Sequence, residues 1–206
     1  MAAIRAELRV VLSLRALPAP VRGFWWRARW HARRSGDEFS LSSAARPSEL
    51  AQLLALASGR AAVVELGTGT AWTAIALALD DHARRVISYD PCVRSEREAY
   101  LDLAGAGVRG RVVLREEPDS LGPRPEDPPV QLLFIDSSHE RESVLTAFRA
   151  WRPALAQDAV VVFHDYGHAD YPGVRDAISE LGLSGKERGG LFFWRPHDAP
   201  VARPTV

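Results

Sequence analysis

The segment Val63-Val64-Glu65-Leu66-Gly67-Thr68-Gly69-Thr70 is the most informative part of this sequence. It begins within an apolar run, Ala61–Leu66, of the kind that forms a buried parallel strand. Gly67 and Gly69 then allow the backbone to turn sharply and to approach a ligand without intervening side chains. An Ala- and Leu-rich helix is predicted over residues 71–80, directly after the turn. A glycine turn between a strand and a helix is where an open α/β sheet binds its ligands.

Trp72 occupies the position that distinguishes two classes of glycine turn. A dinucleotide-binding fold carries a third glycine there, because its helix packs closely on the strand and holds a pyrophosphate at its N-terminus. A bulky indole at this position argues against that ligand. The sequence therefore disfavours a NAD-dependent oxidoreductase, which remains an alternative.

Asp90 follows the second predicted strand, Arg85–Tyr89, about 20 residues beyond the glycine turn. A carboxylate at this place can accept hydrogen bonds from both hydroxyl groups of a ribose. Taken alone, Asp90-Pro91 is equally well an ordinary turn at the end of a strand. The order and spacing of the glycine turn and the acid favour a binding site for a ribose-containing ligand.

Strands and helices alternate through the rest of the chain. The pattern predicts further helices over residues 47–59, 95–104, 139–151 and 173–181, and further strands over residues 112–114, 130–135 and 159–163. Two short strands, Lys186–Arg188 and Leu191–Arg195, follow with a glycine turn between them. Five strand–helix steps and a hairpin predict a doubly wound, Rossmann-like α/β fold, with a mostly parallel sheet and an antiparallel hairpin at its C-terminal edge.

The composition is that of an ordinary globular chain with a sizeable core. The 206 residues carry no formal net charge, and 47% of them are hydrophobic. The neutral balance argues against a nucleic-acid partner. Cys92 is the single cysteine, so an internal disulfide is excluded and a cytoplasmic location is expected. Residues 8–14 are apolar, but Arg9 interrupts this short run, so we expect no transmembrane segment.

The N-terminal stretch differs in composition from the rest. Residues 1–34 hold eight arginines, a single acidic residue and three clustered tryptophans. Helical spacing predicts one helix near residues 4–12 and a second over Val21–Arg34. We therefore expect a basic, Trp-rich helical extension at 1–36, a ligand-binding domain at 37–195 and a Pro-rich tail at 196–206. The extension is expected to be a docking element outside the core, for example in a homo-oligomer.

Polar side chains follow the fourth and fifth predicted strands. Asp136 comes directly after residues 130–135, and the pair His164-Asp165 comes after residues 159–163. Because the carboxyl ends of parallel strands meet at one edge of the sheet, these side chains should face the same crevice as Gly67 and Asp90.

Four motifs together resemble a known family. The motifs are Glu65-Leu66-Gly67-Thr68-Gly69, Tyr89-Asp90, Phe134-Ile135-Asp136 and His164-Asp165-Tyr166. They resemble the class I S-adenosylmethionine-dependent methyltransferases, and within them the small O-methyltransferase-like branch known as methyltransferase family 24. The resemblance covers roughly residues 45–195.

The resemblance implies a set of cofactor-binding residues. In such enzymes the acid that opens the glycine turn lies by the methionine amino group, which implies that role for Glu65. The acid after the second strand takes the ribose hydroxyls, which implies that role for Asp90. The predicted cofactor site is completed by Gly67, Thr68, Gly69 and Asp136. Residues 115–120 depart from the family pattern near the adenine, so no adenine contact is assigned.

A divalent metal ion such as Mg²⁺ is one predicted means of activating the hydroxyl group that accepts the methyl group. In relatives that resemble catechol O-methyltransferase, oxygen ligands at the strand ends hold such an ion, which lowers the pKa of the acceptor hydroxyl. The resemblance implies Asp136, Asp165 and His164 as ligands. His164 stands where relatives often have a carboxylate, and Mg²⁺ prefers oxygen, so a mechanism without a metal is the alternative.

A histidine that acts as a general base is the other predicted means of activating this hydroxyl group. His139 or His164 could accept the proton of the acceptor hydroxyl, which makes them catalytic candidates together with Asp136. A structural alternative exists for His139, because Ser137 and Glu140 have the spacing of a capping box at the start of a helix.

The sequence therefore predicts an S-adenosylmethionine-dependent methyltransferase that O-methylates a small hydroxylated metabolite. A non-catalytic relative is the alternative, one that binds S-adenosylmethionine or serves as an interaction module. The cofactor motifs alone do not distinguish these two functions.

Overall fold

The computed structural model describes residues 13–198. The helices of this part are α1 (Ala19–Ser35), α2 (Glu38–Ser43), α3 (Pro47–Ala57), α4 (Trp72–Asp80), α5 (Glu96–Ala104), α6 (Ala106–Arg109), α7 (Arg141–Trp151) and α8 (Pro172–Glu180). The strands are β1 (Ala62–Leu66), β2 (Arg85–Tyr89), β3 (Val112–Arg115), β4 (Val130–Ile135), β5 (Leu155–Phe163), β6 (Lys186–Arg188) and β7 (Leu191–Trp194). The helix predicted near residues 4–12 and most of the predicted tail lie outside the described residues.

The strands form one mixed sheet in the order β3-β2-β1-β4-β5-β7-β6. Strands β1 to β5 are parallel to their neighbours, and β7 runs antiparallel to both β5 and β6. This arrangement confirms the predicted doubly wound fold with an antiparallel hairpin at one edge. In the register of the sheet, Leu66 lies beside Tyr89 on one side and Ile135 on the other, so the ends of β1, β2 and β4 are level.

The core lies on both faces of the sheet. Successive side chains of a strand point to opposite faces, so Val63 joins the layer that contains α1, α3, α4 and α5, whereas Val64 joins the layer that contains α7 and α8. The apolar runs of the central strands are explained by this arrangement, because they are covered on both sides.

Three elements differ from their predictions, and one of them is the four-residue helix α6 (Ala106–Arg109), which was not predicted. Helix α2 was not predicted, because its six residues, Glu38–Ser43, are too few to show a helical period. Strand β5 begins at Leu155, earlier than predicted, because the exposed pair Gln157 and Asp158 interrupts its apolar pattern. The register between β4 and β5 shifts at this point, which is typical of a bulge.

Helix α1 is part of the core, and the expectation that residues 1–34 lie outside it is wrong for this helix. Its buried face includes Val21, Phe24 and Ala28. The ring of Phe24 packs edge-on against Trp72 of α4, with 6.4 Å between the ring centroids. Trp72 in turn packs against Tyr100 of α5 at 5.2 Å. The domain boundary at residue 36 stays a prediction, as does an oligomeric role for the extension.

No helix within residues 13–198 is both long enough and apolar enough to cross a membrane.

Candidate functional site

A cavity of about 850 Å³ opens at the carboxyl ends of the central parallel strands. This volume lies within the range of small-molecule sites. The cavity is lined by most of the residues that the sequence pointed to: Gly67, Thr68, Gly69, Asp90, Asp136, His139, His164 and Asp165. The structure therefore brings the predicted cofactor and strand-end residues into one site.

The glycine turn is held close to the end of β4. Gly67 has a φ of 98°, and a Cβ on it would stand 2.6 Å from the carbonyl carbon of Asp136 and 2.8 Å from Cα of Ser137. Gly69 has a φ of 50°. Both glycines are needed for their backbone angles, and Gly67 is needed also for space.

Glu65 lies beneath the turn. Only 1% of the residue is exposed, its carboxylate accepts a hydrogen bond from the Ser88 hydroxyl, and it does not line the cavity. The Ser88 hydroxyl also lies 2.7 Å from that of Thr68. Burial raises the pKa of Glu65 to about 8, with a further contribution from the nearby charges of Asp136 and Asp90. A contact between Glu65 and the methionine amino group stays a prediction.

Asp90 lies beside the glycine turn and faces the cavity. Its Oδ2 accepts hydrogen bonds from the backbone N–H of Gly69 (3.0 Å) and from Nη2 of Arg97 (2.8 Å). Its Oδ1 accepts one from the backbone N–H of Cys92 (2.8 Å). Asp90 thus forms the predicted strand-end turn and lines the candidate site as well, so the two interpretations are compatible.

His164 lies between three carboxylates. Its Nδ1 is 2.9 Å from Oδ1 of Asp136 and 3.2 Å from Oδ2 of Asp165, and its Nε2 is 3.5 Å from Oε2 of Glu49. Burial by itself would lower the pKa of His164, but the three carboxylates outweigh it and raise the pKa to about 12. His164 is therefore a cation at neutral pH.

Asp165 joins both histidines. Its backbone is in the left-handed region, with a φ of 53°, and its Oδ2 lies 3.1 Å from Nε2 of His139. Burial would raise the pKa of this carboxyl, but the hydrogen-bonding and charge contributions of His139 and His164 hold it well below its usual range. The ring of His139 stacks on Tyr171, with 3.9 Å between the centroids.

The capping-box alternative for His139 is wrong. Helix α7 begins at Arg141 with Glu140 as its N-cap residue, and no side chain caps it. The Ser137 hydroxyl instead donates to the carboxylate of Asp119, which also lines the cavity.

Within residues 13–198, Asp136, His139 and Asp165 form a group that could hold a metal ion. Each offers one ligand atom, and these atoms lie within 4.8 Å of one another. Nε2 of His139 and Nδ1 of His164 are both buried, and both lie close to Oδ2 of Asp165 without a well-aligned hydrogen bond. A buried nitrogen left without a hydrogen bond beside two carboxylates fits a divalent ion. The set differs from the predicted one, since His139 takes the place of His164.

Several cavity residues lie outside the sequence motifs from which the site was predicted. Phe39 of α2 lies over Gly69, and the guanidinium of Arg94 stacks on its ring at 3.5 Å. Glu49 of α3 is 8% exposed and accepts a hydrogen bond from the backbone N–H of Arg46. The only signal in the sequence was the start of a helix at Pro47, which does not indicate a binding role.

A buried hydrogen-bond network fixes α2 against the glycine turn. Asp37 accepts hydrogen bonds from the backbone N–H of Ser40 (2.9 Å) and from the hydroxyl of Tyr100 (2.6 Å). The Ser40 hydroxyl lies 2.6 Å from that of Thr70. These hydrogen bonds fix the position of α2, the helix that carries Phe39 in the cavity wall.

Cys92 lies next to the acid at the end of β2. It is exposed and lines the cavity.

Solved structures with the same fold are methyltransferases. CalS11, a TDP-rhamnose 3′-O-methyltransferase of calicheamicin biosynthesis, is 18% identical over 95% of this chain and 94% of its own, with a TM-score of 0.58. The O-methyltransferase TomG from Streptomyces achromogenes, in complex with S-adenosylmethionine, is 22% identical over 82% and 89%, with a TM-score of 0.62. The S-adenosylhomocysteine-bound methyltransferase PaMTH1 from Podospora anserina is 14% identical over 93% and 94%, with a TM-score of 0.66. At these identities the similarity shows the fold.

A search of curated proteins found no match. The family comparison is more specific, because a family described as a methyltransferase domain, family 24, matches residues 64–166. The match runs from β1, through the glycine turn and Asp90, to the residues that follow β5. The chain belongs to this methyltransferase family and is an S-adenosylmethionine-dependent methyltransferase.

Proposed function

We propose that this enzyme methylates a hydroxyl group of a small molecule and that a divalent metal ion activates the acceptor. The observation that supports this proposal is the convergence of Asp136, His139 and Asp165 in the cavity that also contains the glycine turn. A hydroxyl group is a weak nucleophile until its pKa is lowered, so the methyl donor and the activating group must lie in one site.

The residues around the glycine turn fit the methyl donor. S-adenosylmethionine supplies an electrophilic methyl group on a sulfonium. Gly67 and Gly69 carry no side chains of their own that would stand between the backbone of the turn and the donor, and Asp90 offers a carboxylate to the ribose. Phe39 and Arg94 form the wall over Gly69, which helps to exclude water from this part of the cavity.

Asp136, His139 and Asp165 would hold the metal ion. Two carboxylate oxygens and an imidazole nitrogen suit a divalent ion softer than Mg²⁺, such as Mn²⁺, Co²⁺ or Zn²⁺. Such an ion would lower the pKa of a bound hydroxyl group. The cationic ring of His164 contacts the carboxylates of Asp136 and Asp165 and would help to orient both of them.

A base without a metal is the second candidate, and the structure favours His139 for it. A general base must be able to accept a proton. His164 is already protonated at neutral pH and pairs with three carboxylates, whereas His139 pairs with one, that of Asp165. In this version Asp165 orients the ring of His139 and stabilises the charge that it gains.

Small hydroxylated metabolites are the acceptor class that we propose. The support is the cavity volume of about 850 Å³, which suits small molecules, and the structural likeness to CalS11 and TomG, both O-methyltransferases. We also propose that the reaction takes place in the cytoplasm, since Cys92 is the single cysteine.

Transfer of a labelled methyl group from S-adenosylmethionine tests the proposal. Catechols, phenolic acids and sugar nucleotides form the acceptor panel, and the protein is assayed as purified, after EDTA, and after reloading with Mg²⁺, Mn²⁺ or Zn²⁺. The proposal expects transfer to oxygen, loss of activity in EDTA and recovery with one of the ions.

Matched variants separate the metal from the base. Asp136→Asn and His139→Ala should both lose activity and bound metal, while Asp170→Asn, an exposed acid nearby, should change neither. Full activity in EDTA, with loss in His139→Ala alone, would establish the base instead. Transfer to nitrogen or carbon acceptors, and none to oxygen, would overturn O-methylation.

A further inference from the structure

The outer side of α1 is rich in tryptophan and arginine. Between residues 21 and 34 the exposed residues are Trp26, Arg27, Trp30, Arg33 and Arg34, and we call them the Trp–Arg face. Trp26 is 47% exposed and Trp30 is 61% exposed, and side chains four residues apart lie on one side of a helix. The guanidinium of Arg34 lies over the ring of Trp30, 4.8 Å from its centroid. The face therefore combines two uncovered indoles with a cluster of positive charge.

The rest of α1 fixes this face and leaves its charge uncompensated within the helix. Val21, Phe24 and Ala28 are buried on the opposite side, so the face is presented by a packed helix and need not fold when it binds. The helix contains five arginines and no acidic residue. The first acid after it, Asp37, already accepts hydrogen bonds from Ser40 and Tyr100. The electrostatic complement of the face is therefore an anionic partner.

The exposed indoles indicate which anionic partner suits the face. An indole has an apolar ring and one N–H donor, and it is favoured at the level of lipid headgroups, where one end is apolar and the other is hydrated. Arginines beside it attract anionic headgroups, and each one near the surface strengthens binding by about fivefold. Helices with this combination lie in the plane of the membrane interface and do not cross it.

We propose that the Trp–Arg face docks on an anionic phospholipid surface, with the indoles of Trp26 and Trp30 at the level of the headgroups. This interaction goes beyond the methylation reaction and does not depend on the identity of the acceptor. Trp25 and Arg29 of the same helix line the cavity, so docking would bring one wall of the cavity close to the lipid.

Two other partners are disfavoured by the same observations. RNA also binds arginines and aromatic rings, but outside residues 1–34 the chain holds more acidic than basic residues, which would repel a strand that extends beyond α1. A membrane contacts only one side of the protein and avoids this repulsion. A second copy that used the same face would bring two sets of arginines together.

Binding to phospholipid vesicles tests the proposal on the full chain. The vesicles contain phosphatidylcholine alone or phosphatidylcholine mixed with phosphatidylserine, and binding is measured by co-sedimentation. The protein should bind the vesicles with phosphatidylserine and not the neutral ones, and added salt should weaken binding because it screens the charges. Equal binding to both kinds of vesicle, or binding to neither, would overturn the proposal.

Tryptophan fluorescence shows whether the face itself contacts the lipid. Four of the six tryptophans are at most 6% exposed, namely Trp25, Trp72, Trp151 and Trp194. A shift of the emission to shorter wavelength when phosphatidylserine vesicles are added therefore reports on Trp26 and Trp30. A variant with both Trp26→Ala and Trp30→Ala should lose this shift and bind the vesicles roughly tenfold more weakly. If it keeps the wild-type shift and affinity, the proposal is wrong.

Matched variants separate the face from the overall charge of the protein. A variant with both Arg33→Gln and Arg34→Gln should bind the vesicles roughly 10- to 30-fold more weakly, because two arginines near the surface are lost. The control, with both Arg175→Gln and Arg188→Gln, removes the same charge from exposed residues outside α1 and should bind as the wild-type protein does. Equal losses in the two variants would show unspecific attraction and contradict the proposal.

The remaining outcomes assign the face to another partner. All altered side chains are on the surface, so thermal unfolding should be nearly unchanged in every variant, and each binding result refers to folded protein. Binding of the wild-type protein to single-stranded polyuridylate, and not to vesicles, would identify a nucleic-acid surface instead. A dimer that dissociates when Trp26 and Trp30 are replaced, without binding to vesicles, would assign the face to a second copy of the chain. Either result would overturn the proposal.

Discussion

The backbone of Asp136 fills the space that a side chain on Gly67 would need. A Cβ on Gly67 would stand 2.6 Å from the carbonyl carbon of Asp136, and the φ of Gly67 is 98°. Two parallel strand ends meet at this point, because the N–H of Asp136 donates to the carbonyl of Leu66. The methyl-donor site and the strand-end cluster therefore share one piece of backbone.

Gly67→Ala should destabilise the protein and abolish cofactor binding. The added methyl group must displace the backbone of β4, which costs more than the roughly 1–3 kcal/mol of ordinary overpacking. Gly59→Ala is the control, since Gly59 has a φ of 72° with nothing within 4 Å, and only the cost of the left-handed backbone, about 1 kcal/mol, applies. Urea unfolding of the two variants measures the difference. Equal losses would show that only the backbone angle matters at Gly67.

Phe24→Ala should lower the free energy of unfolding by roughly 3–5 kcal/mol, the usual cost of removing a buried aromatic ring. Phe24 is 1% exposed and contacts Trp72. Trp30 on the same helix is 61% exposed, so Trp30→Ala should change stability by about 0.5 kcal/mol or less. Thermal and urea unfolding compare them. A small effect of Phe24→Ala would restore the interpretation of α1 as a separate docking element.

Glu65 should make the protein less stable as the pH rises. Its pKa is 4.5 in the unfolded chain and about 8 in the folded protein, so between these values only the folded state holds the proton. The free energy of unfolding should then fall by up to about 1.4 kcal/mol per pH unit in this window. Glu65→Gln removes this slope, and Glu142→Gln, an exposed acid on α7, keeps it. Identical pH dependence in Glu65→Gln and the wild-type protein would contradict the buried neutral acid.

His164 should stay protonated from pH 6 to pH 10 in EDTA-treated protein. Its pKa is raised to about 12, so the stability that its charge contributes is complete below its ordinary pKa of 6.5 and is lost progressively as the pH rises from there towards 12, while the folded protein keeps the proton. The NMR shift of its ring Cε1–H should therefore not change across this range. His164→Gln assigns the signal, because the variant lacks it. A midpoint near neutral pH for His164 would return it to the candidates for a general base.

The fold could be predicted because its signals are local. Apolar runs such as Val130–Ile135 are buried on both faces, and the glycine turn falls directly after one of them. The same locality explains the errors. The apolar pattern did not indicate the start of β5, because the polar residues Gln157 and Asp158 interrupt it. Residues 38–43 were too few to show a helical period.

The site could be predicted only for residues that directly follow a predicted strand. Asp90, Asp136 and His164 do so, and the structure places them in one cavity. Arg97 and Glu49 lie inside helices, where an arginine or a glutamate is an ordinary surface residue. Their partners are distant in sequence, as in the contact between Glu49 and His164. Only the packing of the helices on the sheet shows that these charges are buried.

The packing of α1 has a consequence for biosynthesis of the chain. Phe24 and His31 are made before their ring partners, because Trp72 follows β1 and Tyr100 follows β2. Until then these two side chains of α1 lack those partners, and long-range contacts of this kind form slowly. While the glycine turn is being synthesised, the nascent chain therefore carries apolar surface on α1 that has not yet reached its final partners, and surface of this kind is prone to aggregation.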